Sequence, residues 1–349
     1  MLKRIAWILN GGMALCLLLS YLAPYVDPLS FSWLSFMGLF YPVFLCMNVL
    51  FVLLWLIKWD KRVFLSLACI LMGYVFIPRF IALFPKEKAS NTSSISIATY
   101  NVENARRGYD RDRTKRKAKR EKLEAFHHKL RHLDILCIQE KGDFAFDILK
   151  DVYNEHEIHM PENKGTAILS RFPVINKGSI EFGTRTNSCI WADIVSPMDT
   201  IRVYSLHLQS NQITNDTKAL VKNGNLQEEE TWKGIGGIFD KFRHHHIKRA
   251  MQSNLVKEHM EKAPYPVILG GDFNDTPMSF TYTTLSKNML DSFIEQGSGL
   301  GTTYSDNVPF LRIDFILTDP AFSILSHQVE YADYSDHYPV IAEITSNKN

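Results

Sequence analysis

Residues 267–275 read Val-Ile-Leu-Gly-Gly-Asp-Phe-Asn-Asp. A β-type apolar run stops at an acid, Asp272, and an amide, Asn274, follows two residues on. A lone acid after a strand is ordinarily turn chemistry or a helix cap. Here the same pattern recurs, at Tyr100-Asn101, Gln139-Glu140, His207, Asp314 and Asp336-His337, each closing an apolar run. Strand ends at one edge of a sheet stack can converge, and converging carboxylates repel unless a cation lies between them. Hard oxygen donors with waters left over suit Mg²⁺, with Mn²⁺ as the second candidate. No HExxH or CxxC spacing occurs, so a zinc protease or structural zinc site has no support.

Outward from 267–275, runs of β-type residues recur at 95–100, 135–138, 166–170, 190–195, 201–207, 313–317 and 340–344. Helical patterns fall at 113–133 and about 239–262. The runs 190–195 and 201–207, joined through Pro197-Met-Asp, read as a hairpin. This mixture predicts an α+β four-layer sandwich, two packed mixed sheets flanked by helices, over residues 95–349. Cys137, in mid-run, reads as a buried strand thiol and not as half of a disulfide.

Seven segments, taken in order, resemble the endonuclease/exonuclease/phosphatase superfamily, the deoxyribonuclease-like group, in a membrane-anchored bacterial form. They are Thr-Tyr-Asn-Val (99–102), Ile-Gln-Glu (138–140), Gly-Thr-Ala-Ile-Leu-Ser-Arg-Phe-Pro-Val (165–174), Ser-Leu-His-Leu (205–208), Gly-Gly-Asp-Phe-Asn-Asp (270–275), Arg-Ile-Asp-Phe-Ile-Leu (312–317) and Ser-Asp-His-Tyr-Pro-Val (335–340). The resemblance implies metal-dependent hydrolysis of a phosphate ester by in-line attack of water. By it, Glu140 is the principal Mg²⁺ ligand, with Asn101 and Asp336 close to the ion. Asp272 orients or deprotonates the water, and Asn274 donates its amide to a phosphoryl oxygen. Asp314 holds His337 in one tautomer, so that His337 can contact the phosphoryl oxygen, and His207 stands where a phosphate-binding donor is found. The general base is left open between Asp272 and His337.

The front of the chain differs in kind. Overall the 349 residues are 46% hydrophobic and 22% charged, which excludes wholesale disorder, a collagen-like chain or a highly charged nucleic-acid tail. Residues 1–90 carry eight Lys/Arg against three acids, whereas the remainder is mildly acidic. Spans across a bilayer are expected at about 5–22, 36–57 and 63–84, giving an anchor at 1–85 and a polar linker at 86–94. Lys3, Arg4, Lys58, Lys61 and Arg62 place the N-terminus and the 58–62 loop in the cytoplasm. A third span then puts the catalytic domain on the periplasmic or extracellular face of a bacterial inner membrane, in a multi-pass protein.

Arg249 and Gln252, one helical turn apart, are candidates for the substrate side, where an Arg could grip a phosphate bidentately. The block 106–122 holds ten bases against three acids and could meet nucleic-acid phosphates or anionic lipid. The functional expectation is a membrane-anchored endonuclease or phosphodiesterase acting on nucleic acid. An inositol-phosphate or lipid phosphoesterase, sphingomyelinase-like, is the alternative, with anionic lipid as substrate. A catalytically silent binding module would have shed site residues, and this chain keeps them.

Overall fold

The computed structural model describes residues 1–82, 94–108, 112–161, 164–184, 187–210, 229–305 and 311–347. Among these residues, twelve strands form two six-stranded sheets. In chain order they are β1 Ile95–Asn101, β2 Ile135–Gln139, β3 Glu157–His159, β4 Ala167–Ser170, β5 Val174–Ile180, β6 Ser188–Val195, β7 Thr200–His207, β8 Val267–Asp272, β9 Leu290–Asp291, β10 Asp314–Thr318, β11 Phe322–Val329 and β12 Val340–Ser346. One sheet runs β11-β12-β1-β2-β4-β3, the other β5-β6-β7-β8-β10-β9. Each contains one parallel pair, β1 with β2 and β7 with β8, among antiparallel neighbours. The expected α+β sandwich of two mixed sheets is what the chain forms, hairpin β6–β7 included.

Strand alternation builds its core. Ile97, Ile135, Cys137 and Ile168 point from the first sheet toward Ile190, Ala192, Val203, Ile268 and Ile316 of the second. The intervening residues Ala98, Tyr100, Leu136, Ile138 and Leu169 face the opposite way, onto helices. Those helices carry matching stripes: Leu123, Phe126 and Leu130 on Arg113–Leu130, and Ala145, Ile148, Leu149 and Val152 on Asp143–Val152. The first of them starts where the Asp112 carboxylate accepts from Thr114 N at 2.9 Å and Lys115 N at 3.2 Å. All five cysteines are free thiols, and Cys137 is buried.

The chain gathers into two compact units: Met1–Pro78 with Gln209–Met251 and Asp275–Thr284, and Arg79–Leu208 with Gln252–Asn274 and Leu285–Asn349. The second unit holds the sheets. In the first, helices Leu2–Ser20, Tyr41–Ile57 and Val63–Met72 pack together around polar side chains. Trp55 Nε1 donates to Asn10 Oδ1 at 2.8 Å, Ser66 Oγ donates to Asn48 Oδ1 at 2.8 Å, and Asn48 Nδ2 donates to Met13 O at 3.0 Å. Ile8, Leu15, Leu50, Leu53, Phe64 and Leu71 are exposed, so the polar Asn10, Asn48 and Ser66 lie inside with Leu17 and Trp55 while much of the outer surface is apolar. Farther along, Phe36 packs on Phe242 at 4.2 Å and Phe239 at 4.7 Å between ring centroids. A Cβ on Gly38 would lie 2.3 Å from Met278 O, so glycine is what lets these backbones touch.

The expectation of three spans is corrected. Leu2–Ser20 is the one described helix long and apolar enough to cross a membrane. The second segment breaks at Phe40 into Trp33–Leu39 and Tyr41–Ile57, bent by 59°, and counts as one span only if the bent pair is taken together. Pro42 in the first turn of the later helix lacks the amide that would continue the earlier one. The third segment is helical for ten residues, Val63–Met72, then tightens into a 3₁₀ stretch, Tyr74–Arg79, that contains Pro78. Ten residues rise ~15 Å, half of a ~30 Å hydrocarbon layer. The periplasmic placement rested on that third span and falls with it. Most of the 86–94 linker, and residues 109–111 of the basic block, lie outside the described residues.

Two buried histidines set an acid limit on this fold. Burial pushes His127 down to about 4, its Nδ1 lying 3.3 Å from the Tyr153 hydroxyl. Burial also pushes His327 down to about 4, beside the Ser292 hydroxyl at 2.9 Å. Each is neutral when folded and binds its proton more readily when unfolded, at the ordinary value near 6.5. The stability they permit is present above pH 6.5 and is lost as pH falls toward 4, by about 2 kcal/mol each at pH 5. The thermal midpoint should therefore drop from pH 7 to pH 5, and His127→Gln should flatten that slope. An unchanged slope in the variant would remove His127 from the account.

Candidate active site

The two parallel pairs bring chemistry to strand ends. Asn101 lies opposite Gln139 at the end of β1–β2, with Glu140 the next residue. His207 lies opposite Asp272 at the end of β7–β8, and Asp272 lies opposite Asp314 at the start of antiparallel β10. His207, Asp272 and Asp314 thus occupy one rung across three neighbouring strands, and residues level across a sheet point to the same face.

Asp272 is the hub. Its Oδ2 accepts from Asn101 Nδ2 at 3.0 Å, bridging the two sheets, and from Asn274 Nδ2 at 3.1 Å. His207 Nε2 lies 3.6 Å from the same oxygen and His337 Nε2 lies 3.7 Å away. Its Oδ1 accepts from Asn274 N at 2.8 Å. Glu140 joins through Oε1, 3.2 Å from Asn101 Nδ2 and 3.5 Å from His207 Nε2. Glu140 and Asn274 both hold a left-handed backbone, with φ of 51° and 52°. For Asn this is tolerated, but for Glu it is strain on the order of 1 kcal/mol, held here because Glu140 O accepts from Asn104 N at 2.8 Å.

His337 faces carboxylates on both ring nitrogens. Nδ1 pairs with Asp314 Oδ2 at 2.9 Å, while Nε2 faces Asp272 and, at 4.0 Å, Asp336 Oδ1. Burial disfavours the imidazolium, but Asp314, Asp272 and Asp336 outweigh it and raise His337 to about 10. Burial, with the charge of Asp272 adding to it, raises Asp314 to about 6. The two titrate as one unit, and at neutral pH the proton of the pair sits on the imidazole. Asp336 is also raised, first by burial and then by the charges of Glu140 and Asp272.

The sequence had missed the supports. Ser335 Oγ donates to Asn101 O at 2.7 Å and accepts from His337 N at 3.1 Å. Thr303 Oγ1 accepts from Asp314 N at 3.1 Å, and the Tyr304 ring meets His337 edge-on at 5.0 Å. Ser335 stood within a quoted segment, whereas a Thr-Thr-Tyr stretch in a loop gives no signal. Arg249 is placed otherwise than expected: it is 0% exposed, and Gln252 is buried too. The Arg249 guanidinium is committed to Asp275 and to the carbonyl of Gln209, so it is not presented to a substrate from solvent. Of the adjacent histidines 244–246, His245 and His246 are buried.

A divalent cation fits this edge. Burial, with the charges of Glu140 and Asp272 adding to it, raises Asp336's cost of ionisation, and an oxygen-rich set of this kind suits Mg²⁺ or Mn²⁺. Among the described residues, Asp272, Asp314 and His337 place ligand atoms within 4.8 Å of one another. As ligands they are the poorer set, because Asp314 and His337 already bond each other. Glu140, with its side chain 36% exposed, is open to an ion and its waters.

Two stacked mixed sheets with carboxylates, amides and imidazoles at one edge are the architecture of the phosphoesterase sandwich class. Residues 98–337 match the Endonuclease/Exonuclease/phosphatase family, and the chain belongs to that family, whose members are hydrolases acting on phosphate esters. Residues 3–80 match a domain of unknown function (DUF8431). No curated protein matches the chain. Among solved structures, D. rerio TDP2 complexed with single-strand DNA product has a TM-score of 0.53 at 17% identity, covering 73% of this chain and 100% of that one. A family protein from Bacteroides thetaiotaomicron has a TM-score of 0.51 at 17% identity, covering 73% and 98%. One from Bacteroides vulgatus has 0.51 at 18%, covering 73% and 100%. These likenesses are of fold.

If Glu140 belongs to the cation site, Mg²⁺ should raise the thermal midpoint of the wild-type chain by several degrees. Glu140→Gln should abolish the Mg²⁺-dependent rise. An equal rise in the variant would take Glu140 out of the ligand set.

Proposed function

We propose that this chain is a divalent-cation-dependent phosphoesterase that cleaves a phosphate ester by in-line attack of water. The observation that carries the reading is Asp272 Oδ2, set 3.0 to 3.7 Å from Asn101, Asn274, His207 and His337. A water beside Asp272 would be oriented by that carboxylate and give up its proton to it as the bond to phosphorus forms. His337 lies between three carboxylates, an arrangement that favours its charged form, so it serves as donor to a phosphoryl oxygen and Asp272 as base. Asp314 fixes the imidazole through Nδ1. Asn274 Nδ2 has both hydrogens engaged, on Leu208 O and Asp272 Oδ2, and would exchange the second partner for a phosphoryl oxygen. His207, behind Glu140 and Asp272, would add a further donor. Glu140, Asp336 and Asn101 would hold Mg²⁺ or Mn²⁺, which when bound neutralises phosphate charge and polarises the P–O bond.

The substrate class favoured is a nucleic-acid phosphodiester. It is supported by a fold shared with D. rerio TDP2, whose structure holds a single-strand DNA product. A lipid phosphate ester is the second reading, favoured by the exposed apolar surface of the N-terminal helices. Purified full-length chain should turn over an oligonucleotide in Mg²⁺, lose that turnover in EDTA, and lose about 10³-fold in kcat with Asp272→Asn at unchanged helix content. Turnover of phospholipid head groups alone would select the second reading. Failure of a folded, Mg²⁺-supplied chain on every phosphate ester would sink both and leave a binding module.

The N-terminal helices, on this reading, anchor the chain in a membrane. Support comes from Leu2–Ser20, long enough to cross, and from the inversion of polar and apolar residues around it. Expressed in a bacterium, the chain should sediment with membranes and resist alkaline carbonate. Release into the supernatant by carbonate would contradict insertion.

A further inference from the structure

Arg249 is a buried charge that the chemistry above leaves unused. Arg249 lies on helix Glu229–Glu261 with 0% exposure. Its guanidinium joins two segments remote in sequence, with Nε donating to Asp275 Oδ2 at 3.1 Å and Nη1 donating to Gln209 O at 2.8 Å. Neither partner is arbitrary. Asp275 follows Asn274 directly, and Gln209 stands two residues beyond His207. The parallel β7–β8 ladder ends with the pair His207 and Asp272. Past it, Leu208 N donates to Asp272 O at 3.0 Å and Asn274 Nδ2 donates to Leu208 O at 3.1 Å. Arg249 supplies a further tie between the two departing segments, after backbone pairing has run out.

We propose that Arg249, paired with Asp275, is a positioning residue: it fixes the segments that leave β7 and β8, and thereby the placement of His207 and the Asn274 amide. The proposal rests on the phosphoesterase reading. Burial and partners argue against a direct grip on substrate, since the guanidinium is enclosed and held. The surroundings suit a fixed ion pair. Asp275 Oδ1 accepts from Thr276 N at 3.0 Å, and His246 Nδ1 lies 3.4 Å from Asp275 Oδ2. Burial first, then the neighbouring Arg249, keeps His246 uncharged, so the Asp275 carboxylate faces one fixed cation. The geometry also requires arginine. A guanidinium reaches two acceptors from separate nitrogens in one plane, whereas an ammonium is a point charge on a flexible stem. A shift of about 1 Å in a reacting or positioning group costs on the order of 10²-fold in rate.

The test uses the full-length chain in detergent, with bis(p-nitrophenyl) phosphate and Mg²⁺ as the probe, on Arg249→Lys, Asp275→Asn and the double variant. Arg249→Lys should lower kcat by about 30- to 100-fold with KM within about threefold and thermal midpoint within a few degrees. The double variant should be no worse than the poorer single one, as expected of groups acting as a pair. Backbone hydrogen exchange provides a readout independent of turnover. The amides of Leu208 and Asn274 should exchange at least about tenfold faster in Arg249→Lys, while those of Val203 and Leu269 within the strands stay unchanged. A raised KM at unchanged kcat would make Arg249 a substrate contact and overturn the proposal. So would unchanged kinetics and exchange, or an Arg249→Lys chain that fails to fold, which would mark a plain core charge. If wild type turns over no phosphate ester, the phosphoesterase reading fails, and the exchange pattern alone then judges the tie.

Discussion

A carboxylate taken out of water must be given partners, and the arrangement of the catalytic edge follows from that requirement at Asp272. The side chain is 1% exposed. Isolated burial of such a charge would cost several kcal/mol, enough to protonate it or to unfold a domain of ordinary stability. Instead two amides donate to it, one from each sheet, and two imidazoles stand close behind them. The groups that surround Asp272 are hydrogen-bond donors of the kind a phosphoryl oxygen would need. On the proposed reading, the donors that satisfy the buried carboxylate in the resting protein are the ones that would meet a phosphate.

The fold was legible where residues are buried on both faces. All eight strands read from the sequence, β1, β2, β4, β6, β7, β8, β10 and β12, lie in sheet interiors. Neighbours cover both their faces, so they appear as apolar runs. The four that were missed, β3, β5, β9 and β11, are the four sheet edges. β5, Val-Ile-Asn-Lys-Gly-Ser-Ile, is largely exposed and carries Asn176, Lys177 and Ser179 in its middle, a charge and polar groups of the kind that discourage edge pairing with other chains. Edge strands take their conformation from a neighbour more than from their own composition, so a local reading cannot find them.

The site was legible for a related reason, and misread in one place for another. Polar residues that close apolar runs stand out by contrast, and their convergence follows once the strands are parallel in pairs. Arg249 carried no such contrast. Its charge was visible, but its acid lies 26 residues along the chain and its carbonyl partner 40 residues back. A helical wheel shows that a residue shares a face, not what covers that face. The count of three spans failed in a parallel way: it rested on the length of uncharged runs, while Phe40, Pro42 and Gly73, which bend or end the helices, carry no charge to interrupt such a run.

The packing of Phe36 against Phe239 and Phe242, and of Gly38 against Met278, has a consequence for biogenesis. The compact unit that begins at Met1 is not complete until Thr284 has been synthesised, because Gln209–Met251 and Asp275–Thr284 belong to it. At ribosomal speeds of about 5–20 residues per second, the roughly 200 intervening residues take about 10 to 40 s. Throughout that interval the first helices hold uncovered aromatic surface. Cleaving the chain after its apolar front would strip partners from Gln209–Met251 and Asp275–Thr284, the segments that follow Leu208 and Asn274.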